Sequence, residues 1–130
     1  MQIKDCELDK VLVCKDDDFV IDVSKKLKKS HQKFVVVTKK NVVIGIISLT
    51  DINDRLVSEG KNAKTTMAKQ IMTTPILTKD IQEPLTQLYI EMIKSNIFSC
   101  PVTKNKKLVG AINLKEVLIK LPKIKNGKSC

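Results

Sequence analysis

Residues 11–56 reappear, without a gap, 65 positions further along the chain. Leu12 aligns with Leu77, Lys29-Ser30 with Lys94-Ser95, and Val37-Thr38-Lys39 with Val102-Thr103-Lys104. Gly45, Ile47, Leu49 and Leu56 align with Gly110, Ile112, Leu114 and Leu121. The chain is therefore two copies of one small unit. A unit of about half of 130 residues buries too little surface to be stable alone, so a single shared core is expected. A ligand site is expected between the copies. A chemical group kept in one copy and lost in the other becomes informative by itself.

Within each copy the pattern reads β-α-β-β-α. Val11–Cys14 is a short apolar strand, and Asp18 is placed to cap a helix carrying Val20, Val23 and Leu27 on one face. Phe34–Val37 and Val42–Ile47 form a hairpin around a polar turn. A second helix turns Leu49, Ile52 and Leu56 inward and fades at Gly60. In the second copy the corresponding strand is Ile76-Leu77. Leu85, Leu88, Tyr89, Met92 and Ile93 form a wider apolar stripe, read first as core and otherwise as a subunit contact. The last helix buries Leu114, Val117, Leu118 and Leu121 and stops at Pro122. The expected bounds are 8–60 and 68–122 for the repeats, 61–67 for the linker and 123–130 for a basic tail. The fold class is α/β (α+β), with mixed sheets and helices packed on one face.

No apolar run reaches the roughly 18 residues of a membrane span, and the N-terminus has no secretory h-region, so a cytoplasmic location without membrane contact is expected. Four cysteines without a C-x-x-C pair and one histidine give no zinc site; Cys14 and Cys100 read as buried thiols. The net charge is +10, divided as +3 over residues 1–65 and +7 over 66–130. With one arginine and 3% aromatics, the basic surface reads as a solvated face. A nucleic-acid surface is the less favoured alternative.

The segment Gly45-Ile-Ile-Ser48-Leu-Thr-Asp51 runs from a strand end into a helix start. Glycine allows close approach to the backbone. A hydroxyl at the N-cap, beside free N–H donors, suits a phosphate, and a carboxylate in the first turn can accept two hydrogen bonds from a vicinal diol. Ser48-x-x-Asp51 is equally a capping box that needs no ligand. Asn113 and Glu116 repeat the spacing in the second copy. No phosphate-binding loop and no nucleophile–base pair is present, and no enzymatic activity is expected.

The tandem β-α-β-β-α units, Pro101-Val102 opening a strand and Gly-h-h-Ser-x-x-Asp at 45–51 together resemble the cystathionine β-synthase (CBS) domain family, whose paired units form a Bateman module with pseudo-two-fold symmetry. The resemblance covers residues 8–122. It implies a regulatory module with no required cofactor. An adenosine ligand (AMP, ADP, ATP or S-adenosylmethionine) would sit in a cleft between the repeats. It further implies a homodimer and an unidentified protein partner that is regulated; a structural module that dimerises through its helices around an empty cleft is the other alternative. Carried over residue by residue, Asp51 would hold the ribose and Ser48 a phosphate. Gln32 and Lys33 would make phosphate contacts, and Ile46, beside Gly45 and Thr50, would line the adenine. Thr73, Thr74 and Ile76, within Met72–Ile76, would close the pocket together with Ile97, Phe98 and Ser99. Asn113, Glu116, Ile97 and Phe98 replace Ser48, Asp51, Gln32 and Lys33 in the second copy, so one good site and one weak or empty one are expected.

Overall fold

The computed structural model of the chain describes residues 1–121; Pro122 as a helix stop and the basic tail at 123–130 lie outside the described residues. The chain divides into two compact units. One comprises Val11–Ile76, the other Met1–Lys10 together with the chain from Leu77 onward. We name them after their motif acids, the Asp51 unit and the Glu116 unit.

The Asp51 unit runs β1 (Leu12–Lys15), α1 (Val20–Ser30), β2 (Phe34–Lys39), β3 (Val42–Ser48) and α2 (Leu49–Ile52); α2 continues through a π turn at Asn53–Val57, and α3 (Ala68–Ile71) follows. The sheet order is β1-β2-β3, with β1 parallel and β3 antiparallel to the central strand. β-branched residues make that centre: Val35, Val36 and Val37 are fully buried. Lys40 and Asn41 both take positive φ, which gives the two-residue hairpin the twist its strands require. α1 does not start on Asp18. Its first N–H groups, from Val20 and Ile21, donate to the carbonyls of Thr66 and Ala63, so the 60–66 linker supplies the cap. The Asp18 carboxylate instead accepts the Lys15 N–H at 2.8 Å and closes the strand-to-helix turn.

The Glu116 unit contains a 3-10 turn (Ile3–Asp5), β4 (Lys79–Asp80), α4 (Leu85–Ser95), β5 (Ser99–Lys104), β6 (Lys107–Asn113) and α5 (Leu114–Lys120). Its sheet has the same order, β4-β5-β6. β4 is short and pairs only at Lys79 and Asp80, so the strand expected at Ile76-Leu77 is absent. Pro101 explains this. It stands where Val36 pairs with Val13 in the other unit, and proline has no N–H to give the parallel ladder. The backbone otherwise repeats closely: His31 and Asn96 end α1 and α4 in the left-handed region, and Asn105-Lys106 repeat the hairpin turn.

The single shared core expected from chain length is not what the described residues show. Each unit has its own apolar cluster. Each small unit enlarges its core by recruitment: Ala68 and Ile71 of α3 enter the Asp51 cluster, and Ile3 enters the Glu116 cluster, all nearly fully buried. Three helix residues expected inside are about half exposed, namely Leu49, Ile93 and Leu118. Ile93 falls beside the buried line Leu85–Leu88–Met92, so the wide stripe of α4 is only partly core. No helix among the described residues is long and apolar enough to cross a membrane.

Candidate functional site

In the Asp51 unit the motif forms a complete capping box. Ser48 is the N-cap in extended geometry. Its Oγ accepts the Asp51 N–H at 3.1 Å, and Asp51 Oδ2 accepts the Ser48 N–H at 2.9 Å and the Ser48 hydroxyl at 3.1 Å. The other carboxylate oxygen, Oδ1, looks elsewhere. It accepts the Thr73 hydroxyl at 2.9 Å and lies 3.8 Å from Arg55 Nε. Asp51 is only 8% exposed, so these donors replace the water it lacks.

Thr73 belongs to the segment that leads out of the unit, and several bonds hold that segment against β3 and the π turn after α2. Thr73 and Ile46 exchange backbone hydrogen bonds at 2.8 and 3.1 Å. The Thr74 hydroxyl donates to the Ile44 carbonyl at 2.7 Å, and Arg55 Nη1 donates to the Met72 carbonyl at 2.9 Å. The close approach that Gly45 permits is by this segment: a Cβ there would stand 2.7 Å from Met72 Sδ and 2.9 Å from the Thr73 carbonyl oxygen.

The residues singled out from the sequence therefore divide. Gly45, Ile46, Ser48, Asp51, Thr73 and Thr74 are joined by direct contacts, with Thr50 exposed on α2 and Ile76 half-buried at the unit's end. Gln32 and Lys33 line a hollow of about 580 Å³ over Leu27, Leu49, Ile52 and Val57, to which Asp51 does not contribute. Among the described residues no hydrogen bond joins their side chains to Ser48 or Asp51. Ile97, Phe98 and Ser99 belong to the Glu116 unit.

The Glu116 unit keeps the frame and changes the partners. Asn113 Oδ1 still caps the Glu116 N–H at 2.8 Å. The longer Glu116 side chain does not return to the N-cap; its Oε2 accepts the backbone N–H of Glu7 at 2.9 Å and meets Lys120 Nζ at 3.5 Å. Asn113 Nδ2 donates to Asp9 at 2.8 Å, and Asp9 exchanges backbone bonds with Ala111. A Cβ on Gly110 would stand 2.9 Å from the Asp9 carbonyl oxygen.

Sequence reading missed Arg55. The signal was present: Arg55 lies four residues after Asp51, and Lys120 four after Glu116, each within reach of its acid. Residues 1–7 were given no role in the sequence, yet the segment they begin does for Gly110, through Leu8 and Asp9, what Met72 and Thr73 do for Gly45. Elsewhere, Asp16–Asp18 and five lysines border a second hollow of about 720 Å³, and no cluster among the described residues suits a metal ion. Burial pushes the thiols of Cys14 and Cys100 up to about 11 and about 12, the values of unreactive core cysteines.

Comparison with known proteins agrees with this architecture. An uncharacterised protein of Methanopyrus kandleri is 31% identical over 85 residues, covering 65% of this chain and 43% of that protein. A mitochondrial CBS domain-containing protein of Arabidopsis thaliana is 26% identical over 112 residues, covering 82% of this chain and 54% of that one. The chain thus spans about half the length of the curated relatives it matches. A CBS domain protein from Pyrobaculum aerophilum, solved in complex with AMP, superposes with a TM-score of 0.77 at 20% identity, over 95% of this chain and 99% of that one. The CBS domain model itself matches twice, at residues 3–58 and 68–123, in the register of the internal repeat. The chain belongs to the CBS domain family, as a tandem pair.

Proposed function

We propose that this chain is a regulatory module that binds an adenosine nucleotide at the Ser48–Asp51 motif and conveys its occupancy to a protein partner. One observation carries the reading. The buried Asp51 carboxylate has one oxygen fixed in the capping box and the other held by a side-chain hydroxyl, which a ribose hydroxyl can replace in kind. The AMP bound to the related Pyrobaculum aerophilum protein supports the ligand class.

In this reading Asp51 takes the ribose diol, and Ile46 and Ile76 flank the adenine. Ser48, with Gln32 and Lys33 from the end of α1 and the start of β2, meets the phosphates. The Ser48 hydroxyl must then turn away from Asp51 Oδ2, which keeps the Ser48 N–H. The net charge of +10 favours multiply charged phosphates over adenosine. The ligand can bias the module only by its differential affinity for two arrangements. Exposed Ile93 and Leu118, on α4 and α5, support self-association through the helices, which a dimeric mass in light scattering would confirm.

The test is a thermal-shift panel of AMP, ADP, ATP and S-adenosylmethionine. At least one should raise the melting temperature of the parent and of Glu116→Ala, but not of Asp51→Ala, each folded by circular dichroism. An Asp51→Ala protein that responds like the parent overturns the assignment. Binding to nucleic acid that falls steeply with salt would favour the alternative instead.

A further inference from the structure

The two motif acids both anchor the segment that precedes the other repeat's first strand, but they do so through chemically different donors. Glu116 accepts a backbone N–H, from Glu7. Asp51 accepts a side-chain hydroxyl, from Thr73. The position equivalent to Thr73 on the Glu116 side is Leu8, which has no hydroxyl to offer. A main-chain donor cannot leave its acceptor unless the backbone moves. A threonine hydroxyl can leave by rotation about one bond while the Thr73–Ile46 backbone pair stays closed.

From this we infer that Thr73 is a built-in competitor for the ligand at Asp51. Its hydroxyl occupies Oδ1, and a ribose diol must take that oxygen from it. This rests on the proposed nucleotide site and adds a specificity-determining residue to it. Oδ2 is not available for the exchange, because it holds the Ser48 N–H that starts α2. Oδ1 is available, because its second neighbour, Arg55, sits 3.8 Å away and has a firmer partner in the Met72 carbonyl. The exchange has a mechanical consequence. Thr73 is four residues from Leu77, where the Glu116 unit resumes. A ligand that replaces Thr73 on Asp51 removes the bond holding this connector to α2, so occupancy is read directly by the chain that links the units. Glu116 offers no such exchange, and its segment stays pinned.

The experiment compares the parent, Thr73→Val and Thr73→Ser by calorimetry with AMP and with 2′,3′-dideoxy-AMP, and by amide hydrogen exchange without ligand. Removing the competing hydroxyl should tighten AMP about fivefold, the scale of one charge-assisted hydrogen bond discounted for its context. Thr73→Ser should bind AMP like the parent, and the gain should vanish with the dideoxy analogue, which has no diol. In the ligand-free protein, Thr73→Val should speed exchange at residues 72–74. Equal or weaker AMP binding by Thr73→Val, with a parent that binds, overturns the competition. Unchanged exchange at 72–74 overturns the anchoring. A parent that binds no AMP, but whose 72–74 amides loosen in Thr73→Val, defeats the nucleotide reading and the competition built on it, while the anchoring stands.

Discussion

The Asp51 and Glu116 units share a fold almost residue for residue and differ in what their motif acids hold. Both place an acid in the first turn of a helix, a cation four residues later and a glycine on the strand before. Both press a segment from one end of the unit against that glycine, Met72-Thr73 in one and Leu8-Asp9 in the other. In one, the acid is short, returns to its own N-cap and reaches the segment through a hydroxyl. In the other it is one methylene longer, abandons the N-cap and grips the segment's backbone. The shared part is structural, and ligand chemistry can enter only where they differ. The motif therefore has a structural duty in both units, and its presence alone does not indicate a ligand.

The largest effects should come from the shared part. Gly45→Ala and Gly110→Ala each force a Cβ against backbone at 2.9 Å, so each should cost about 1–3 kcal/mol in chemical denaturation, the range of an overpacked core. Only Gly45→Ala should also abolish AMP binding, because only it pushes the backbone at Met72 and Thr73, beside the proposed site, away from β3. Equal loss of binding in both would break the comparison.

Glu116→Asp tests the difference itself. A shortened side chain loses the Glu7 N–H, and the protein should lose about 1 kcal/mol while gaining no nucleotide affinity, since Asn113 and Phe98 still stand where Ser48 and Lys33 stand. Binding gained by this single change would show that the methylene alone silences the second copy.

The cations come next. Arg55 is half exposed and its distance to Asp51 is long, so the ion pair contributes little. Arg55→Gln should cost about 0.5–1 kcal/mol, chiefly through the bond to the Met72 carbonyl, and Lys120→Gln less, because its contact to the Asp5 carbonyl is long at 3.5 Å. Equal costs in denaturant would contradict this ranking.

The effect smallest at neutral pH emerges only in alkali. Cys100 lies where the Asp51 unit has Val35. Burial holds its folded pKa at about 12, above the unfolded value of 9.0, so the neutral thiol contributes stability that is complete below pH 9. That contribution is lost as pH rises from 9 toward 12. Cys100→Val should leave stability at pH 7 nearly unchanged and flatten the loss between pH 9 and 11. An unchanged alkaline slope would place the loss elsewhere.

Much of this architecture was legible in the sequence. The 65-residue offset gave the element order, and the turn pairs Lys40-Asn41 and Asn105-Lys106 fell where the hairpins bend. Ser48 and Asp51 announced a helix start by spacing alone. What stayed hidden depends on long-range register. Asp18 reads as a cap until the carbonyls of Ala63 and Thr66 are found on the first N–H groups of α1. β4 reads as a full strand until Pro101 is seen opposite it. Two separate clusters could not be foreseen, because nothing local says that Ile3 and Ile71 pack beside strands far from them in sequence. The division of the candidate ligand residues between the Asp51 carboxylate and the Lys33 hollow is likewise a matter of which way side chains leave the backbone. Arg55 is the exception that sequence could have supplied, since the same spacing recurs at Lys120.

The central claim, one exchangeable acid in a chain with two motifs, is tested most directly by calorimetric titration of AMP into the parent, Asp51→Asn and Glu116→Gln. The account predicts one site per chain in the parent, none in Asp51→Asn and one unchanged site in Glu116→Gln. Two equal sites in the parent, or a site lost with Glu116→Gln and kept with Asp51→Asn, would contradict it.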